Sequence, residues 1–182
     1  MDVPHPEIFK AYDIRGIVGK SLTEDIVEQI GRAIGTEALA AGDRAVVVGR
    51  DGRLSGPTIA GALMEGICAT GCDAVDIGMV PTPLTYFATQ ALDIGSAVSV
   101  TGSHNPPDYN GLKVMIGTHT LAAERIQDLR KRIEDREFSV GTGQRHTEDV
   151  VPEYMRRVVA DVRLKRPLRV VTDCGNGVAG MA

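Results

Sequence analysis

Several features are scarce in this chain, and each scarcity narrows what it can be. A basic excess is missing: 20 Lys and Arg stand against 24 Asp and Glu, for a formal net charge of −4. Non-specific nucleic-acid binding rests on such an excess, so nucleic acid is not an expected partner. Cysteine is limited to Cys68, Cys72 and Cys174, an odd number without the paired spacing of a metal site. Small buried residues in a reducing compartment are the expected role for them. The first residues, Met-Asp-Val-Pro-His-Pro-Glu, lack the basic stretch and apolar run of a secretory signal. No apolar run reaches the length of a membrane span. A cytoplasmic protein that makes no membrane contact is expected. The G-x-x-x-x-G-K-[ST] phosphate loop is absent as well, which sets aside ordinary NTPases.

What is present describes a packed α/β protein. Apolar residues make up 43% and charged residues 24%, an ordinary globular balance. Extended patterns are expected at 9–16, 44–49, 72–78, 97–100 and 112–116. Helical patterns alternate with them. Ser21-Leu-Thr-Glu24 fits a capping box ahead of a helix with Ile26, Ile30, Ala33 and Ile34 on one face. Ser55 is the expected cap of a second helix, with Pro57 in its first turn and Ile59, Leu63 and Ile67 as its apolar stripe. A third helix follows Val-Pro-Thr-Pro (80–83), and a fourth, over 122–137, turns Ile126, Leu129 and Ile133 inward. Such alternation implies a layered α/β sandwich. Residues 141–149 have the glycine content and polarity of a linker. A helix over 152–162 and a strand over 168–172 would then open a second domain, giving a division at 1–140, 141–150 and 151–182.

One stretch carries chemistry. Val100-Thr-Gly-Ser-His-Asn-Pro-Pro-Asp-Tyr-Asn-Gly-Leu-Lys113 follows the apolar run 97–100. Its Asn, Pro and Asp residues neither extend a strand nor start a long helix easily. A rigid loop at a strand end, presenting the Ser103 hydroxyl, is expected there, where α/β sheets do their chemistry. His104 is a tempting base for Ser103, but neighbours in an extended loop point their side chains apart. The G-x-S-x-G elbow also fails, because Asn105 stands at its second glycine. Basic residues cluster at short loops: Lys10 and Arg15, Arg50 and Arg53, and Lys113. Should those loops meet at one sheet edge, they would form a phosphate-binding cleft. Arginine keeps its charge at any working pH and suits charge stabilisation, whereas a lysine can trade its proton where burial or nearby cations disfavour the ammonium. His119 and His146 fall in polar turns and are expected at the surface. Gly175-Asn-Gly-Val-Ala-Gly180 matches G-x-G-x-x-G after an expected strand, so dinucleotide binding and a simple tight turn both stand.

Five segments appear in order: Ala11-Tyr-Asp-Ile-Arg-Gly16, Gly49-Arg-Asp-Gly-Arg-Leu-Ser-Gly56, Gly78-Met-Val-Pro-Thr-Pro83, the 101–113 serine loop, and Asp173-Cys-Gly-Asn-Gly-Val-Ala-Gly180. Together they resemble the N-terminal portion of the α-D-phosphohexomutase family, in its bacterial phosphomannomutase/phosphoglucomutase branch. The resemblance implies a three-layer α/β sandwich, a mixed sheet with helices on both faces, followed by the opening of a second domain. It implies an enzyme that interconverts hexose 1-phosphate and hexose 6-phosphate through a phosphoserine at Ser103 and a bisphosphorylated sugar. By the same resemblance Ser103, Lys113, Arg15 and His104 serve the chemistry, with Lys113 the favoured proton carrier, and Tyr12, Asn105 and Lys10 hold the substrate. Mg²⁺ would meet Ser103 through its phosphoryl group, and a hexose 1,6-bisphosphate would act as activator. The family's Asp-Gly-Asp-Gly-Asp metal loop is not among these residues, so the 182 residues alone are expected to lack turnover. Two alternatives remain: a non-catalytic phosphosugar-binding module of the same fold, and a phosphoglucosamine mutase. The Thr-Gly-Ser-His-Asn form of the loop argues against the latter.

Overall fold

A computed structural model describes residues 4–181. Its strands are β1 (Ile14–Ile17), β2 (Ala45–Arg50), β3 (Asp73–Met79), β4 (Ser96–Val100), β5 (Tyr109–Ile116), β6 (His119–Thr120) and β7 (Arg145–Thr147). Five helices run between and after them: α1 (Glu24–Ala40), α2 (Gly56–Cys68), α3 (Thr82–Ala91), α4 (Glu124–Asp135) and α5 (Val151–Asp161). One mixed sheet has the order β1-β5-β4-β2-β3-β7, with β6 paired to β5. Strands β4, β2, β3 and β7 run parallel to one another, and β5 runs antiparallel to β1, β4 and β6.

Every residue of β4 is buried, as a strand covered on both faces requires. On one face Ile30 and Ile34 of α1, Leu63 and Ile67 of α2 and Ile126, Leu129 and Ile133 of α4 meet Val46, Val48, Val98 and Leu112. On the other, Leu84 and Ala88 of α3 meet Val47, Val75, Ile77 and Ala97. This is the expected three-layer sandwich. Helices α1 and α2 touch backbone to backbone at glycines. A Cβ on Gly66 would lie 2.0 Å from the Glu28 carbonyl oxygen, and one on Gly31 would lie 2.3 Å from that of Leu63.

Local details depart from expectation. The cap of α1 is Thr23, whose Oγ1 accepts from the Ile26 amide at 3.3 Å. Ser21, expected to fill that role, instead accepts from the Ile17 amide at 2.9 Å. The Ile17 carbonyl already draws the amides of Lys20, Ser21 and Leu22 into a tight turn, so the helix starts after it. Ser55 flanks α2 but makes no side-chain cap.

The polar stretch 141–149 contains β7, which adds in parallel to the edge of β3. Its glycines mark close approach: a Cβ on Gly143 would sit 2.0 Å from the Cys72 carbonyl oxygen. The first turn of α5 packs on α3, with Val150 buried and the Tyr154 ring edge-on to Phe87 at 5.3 Å. Further along, the chain loses its cover. No strand forms over 168–172, against the sequence expectation, and Val171 is 98% exposed. A strand needs a neighbouring edge to pair its N–H and C=O groups, and among the described residues none faces this segment. Val158 and Val170 are exposed as well. Among the described residues no helix is long and apolar enough to cross a membrane.

Candidate active site

The parallel pairing of β2 with β4 brings the connections that follow them side by side: Arg50 is in register with Val100, and the Asp51 amide donates to the Val100 carbonyl at 3.0 Å. The β4 connection carries Ser103, whose backbone is left-handed, at φ +53°. Few non-glycine residues adopt that conformation, and here the surroundings enforce it. The Ser103 amide donates to Thr101 Oγ1 at 2.9 Å, and that hydroxyl donates in turn to Asp51 Oδ2 at 2.7 Å. The Asn105 amide closes the turn on the Gly102 carbonyl. At the far end buried Asn110 donates to Ser55 Oγ at 2.9 Å.

A cavity of about 1030 Å³ opens beside this loop, lined by Lys10, Tyr12, Arg15, Ser103, His104, Asn105 and Lys113. The seven residues that the resemblance assigns to the site therefore share one cavity. Strands β1 and β5 position two of the cations, since Arg15 is in register with Gly111 and Lys113 with Ser99. The Arg15 fork is pinned on two sides, donating to Asn105 Oδ1 at 3.0 Å and pairing with the half-buried Asp13. Its Nε is buried without a partner. Tyr12 stands on the rim, 74% exposed.

The expectation that Ser103 and His104 point apart is corrected. The left-handed backbone turns them together, and Ser103 Oγ lies 3.4 Å from His104 Nδ1. This is long for a hydrogen bond, so it is a contact, short of a nucleophile–base pair. Two of the arginines expected in the cleft are also relocated. Arg50 pairs with Asp76 at 3.0 Å, outside the cavity lining. Arg53 is turned into the loop itself, its guanidinium donating to the carbonyls of Ser103, Asn105, Pro106 and Tyr109. Carbonyl acceptors on a distant segment leave no side-chain signature in a sequence. One signal does exist: Asp51, Arg53 and Ser55 alternate along an irregular stretch, and all three face the serine loop.

The donor set around Ser103 does not by itself fit Mg²⁺, which demands several oxygens in near-octahedral array. Asp13 is taken by Arg15, and Asp51 by Thr101 and Arg53. Among the described residues no three His, Cys, Asp or Glu are grouped to hold a metal ion.

Residues 6–140 match the family described as phosphoglucomutase/phosphomannomutase, alpha/beta/alpha domain I. The chain belongs to this family. A phosphomannomutase/phosphoglucomutase of Pseudomonas aeruginosa is 51% identical over 174 residues, covering 96% of this chain and 38% of its own length. A phosphoglucomutase of Neisseria meningitidis is 47% identical over 176 residues, again 96% of this chain and 38% of the relative. The crystal structure of a phosphoglucomutase/phosphomannomutase family protein from Burkholderia thailandensis superimposes with a TM-score of 0.85 at 51% identity, over 88% of this chain and 37% of that one. The chain thus spans about two fifths of the curated relatives it matches.

The other residues weighed in the sequence lie outside this cavity. His119 and His146 are exposed, as expected. Cys68, Cys72 and Cys174 are free, and burial pushes the Cys72 thiol up to about 12. Gly175-Asn-Gly is a tight turn, with Gly175 at φ +55° and the Gly177 amide donating to the Cys174 carbonyl. No strand precedes it, so the context that dinucleotide binding requires is absent from the described residues.

Proposed function

We propose that Ser103 is the phosphoryl carrier of a phosphomannomutase/phosphoglucomutase, interconverting hexose 1-phosphates and hexose 6-phosphates through a bisphosphorylated sugar. One observation carries the reading: the Ser103 hydroxyl, on a loop fixed by side chains of its own fold, lines a cavity together with Arg15, Lys113 and Lys10. In the forward half-reaction the bond between phosphorus and Ser103 Oγ breaks as one forms to a free sugar hydroxyl. That hydroxyl's proton is relayed through the neutral amine of Lys113, the favoured carrier, to the departing Ser103 oxygen, which leaves as the hydroxyl. Arg15 faces the charge that collects on the phosphoryl oxygens, held in aim by Asp13 and Asn105. Return of the sugar's other phosphoryl group to Ser103 completes the interconversion. His104, Asn105, Tyr12 and Lys10 line the sugar phosphate's seat.

Mg²⁺ and a hexose 1,6-bisphosphate activator belong to the proposal, the metal drawing its carboxylate ligands from outside these residues. The 182 residues alone are then expected to accept a phosphoryl group without sustaining turnover. Small hexose phosphates are the proposed partners and the cytoplasm the proposed location. Incubation with glucose 1,6-bisphosphate and Mg²⁺, followed by peptide mass mapping, tests the assignment. One phosphoryl group on Ser103, absent from Ser103→Ala, is expected. A phosphoryl group elsewhere, or none in the presence of the bisphosphate, would sink it.

A further inference from the structure

We propose that Arg53 is a positioning residue for transfer at Ser103: it sets the loop geometry that aims the hydroxyl, and acts through the backbone without touching the substrate. The inference rests on the function proposed for Ser103.

The Arg53 side chain is 14% exposed. Nη1 donates to the Pro106 carbonyl at 2.6 Å and the Tyr109 carbonyl at 2.9 Å, and Nη2 donates to those of Asn105 at 2.7 Å and Ser103 at 3.0 Å. One planar fork thus gathers four carbonyls across seven residues, 103 to 109, from a loop with two prolines to the first residue of β5. Only a guanidinium has the rigid spread of donors for this; a lysine ammonium is a point charge on a flexible stem. The other end of Arg53 is fixed as well, its amide donating to Asp51 Oδ1 at 3.1 Å while Asp51 Oδ2 accepts from Thr101. Gly102 makes room for the fork, since a Cβ there would lie 2.3 Å from Arg53 Cζ. Because the four acceptors are neutral carbonyls of the serine loop itself, the arginine's role is to hold Ser103 in its left-handed pose.

Two variants separate this from an electrostatic role. Arg53→Lys keeps the charge and loses the fork, and Arg53→Met loses both. The readouts are the rate of phosphoryl uptake at Ser103 from glucose 1,6-bisphosphate, the affinity for glucose 1-phosphate, and amide hydrogen exchange over 103–109. Both variants are expected to slow uptake by about 100-fold, the scale reached when reacting groups are misplaced by about an ångström. Exchange over 103–109 should quicken, with sugar-phosphate affinity unchanged. Arg53→Lys at the wild-type rate beside a slowed Arg53→Met would show that charge alone suffices and would overturn the proposal. So would both variants at the wild-type rate. Should either variant fail to fold, Gly102→Ala displaces the fork while leaving Arg53 in the chain, and is expected to slow uptake likewise; an unchanged rate there overturns the proposal. Wild-type protein that takes up no phosphoryl group overturns the function of Ser103 and this inference with it.

Discussion

Gly61→Ala and Gly66→Ala make one chemical change at two positions of α2, and the structure assigns them opposite signs. Both glycines lie inside the helix, where alanine is favoured by about 1 kcal/mol. Nothing lies within 4 Å of a Cβ built on Gly61, so most of that preference should be realised, a gain of about 0.5–1 kcal/mol. At Gly66 the new methyl would meet the Glu28 carbonyl oxygen at 2.0 Å and the Arg32 amide nitrogen at 2.9 Å. Both are backbone atoms of α1, so no rotamer change relieves the overlap. The helices must part by about an ångström, loosening Ile30, Ile34, Leu63 and Ile67 at once. Overpacking costs about 1–3 kcal/mol even where side chains can yield. With none to yield here, Gly66→Ala should lose about 2 kcal/mol net of its helix preference. For a chain of this size about 1 kcal/mol moves Tm by about 2–4 °C, so the two variants should straddle the wild type by an easily read margin. Urea unfolding with matched m-values is the assay. A Gly66→Ala midpoint at or above the wild type would refute the close helix contact.

Two further predictions concern the core. Cys72 is fully buried, and burial lifts its thiol from 9.0 to about 12. Below pH 9 the thiol is neutral folded or unfolded; between 9 and about 12 only the unfolded chain ionises, so stability falls across that window. Cys72→Ala should show a shallower alkaline decline in its denaturation midpoint, and parallel declines would contradict the burial account. Leu129 is 1% exposed between α4 and the sheet, and Leu129→Ala should lose about 2–5 kcal/mol in urea unfolding. An unchanged midpoint would mean that α4 does not bury this face.

Helix α4 was readable because Ile126, Leu129 and Ile133 recur at helical spacing, and all three are buried. The meeting of Lys10, Arg15, Ser103 and Lys113 followed from the rule that loops at the strand ends of a sheet gather, together with the family resemblance. What stayed illegible had physical causes. Glycine marks either freedom or close approach, and at Gly143 only the Cys72 carbonyl beneath it decides between them. The 168–172 pattern has strand character without an edge to pair with. The sequence suggests an extended backbone at Ser103 and His104, whereas the left-handed one at Ser103 brings their side chains together. Arg53 looked like a cleft cation because its true acceptors are carbonyls, which every residue has.

The left-handed pose at position 103 also limits which amino acid can stand there, before any question of reactivity. Threonine offers the same hydroxyl, but its branched Cβ is a poor occupant of φ +53°. Aspartate and asparagine are among the side chains that tolerate such an angle best. Serine is thus the small hydroxyl that the main chain admits, and on the function proposed for it a carboxylate mimic of phosphoserine can be installed at little conformational cost. The geometry that selects the proposed carrier leaves its charged state open to imitation.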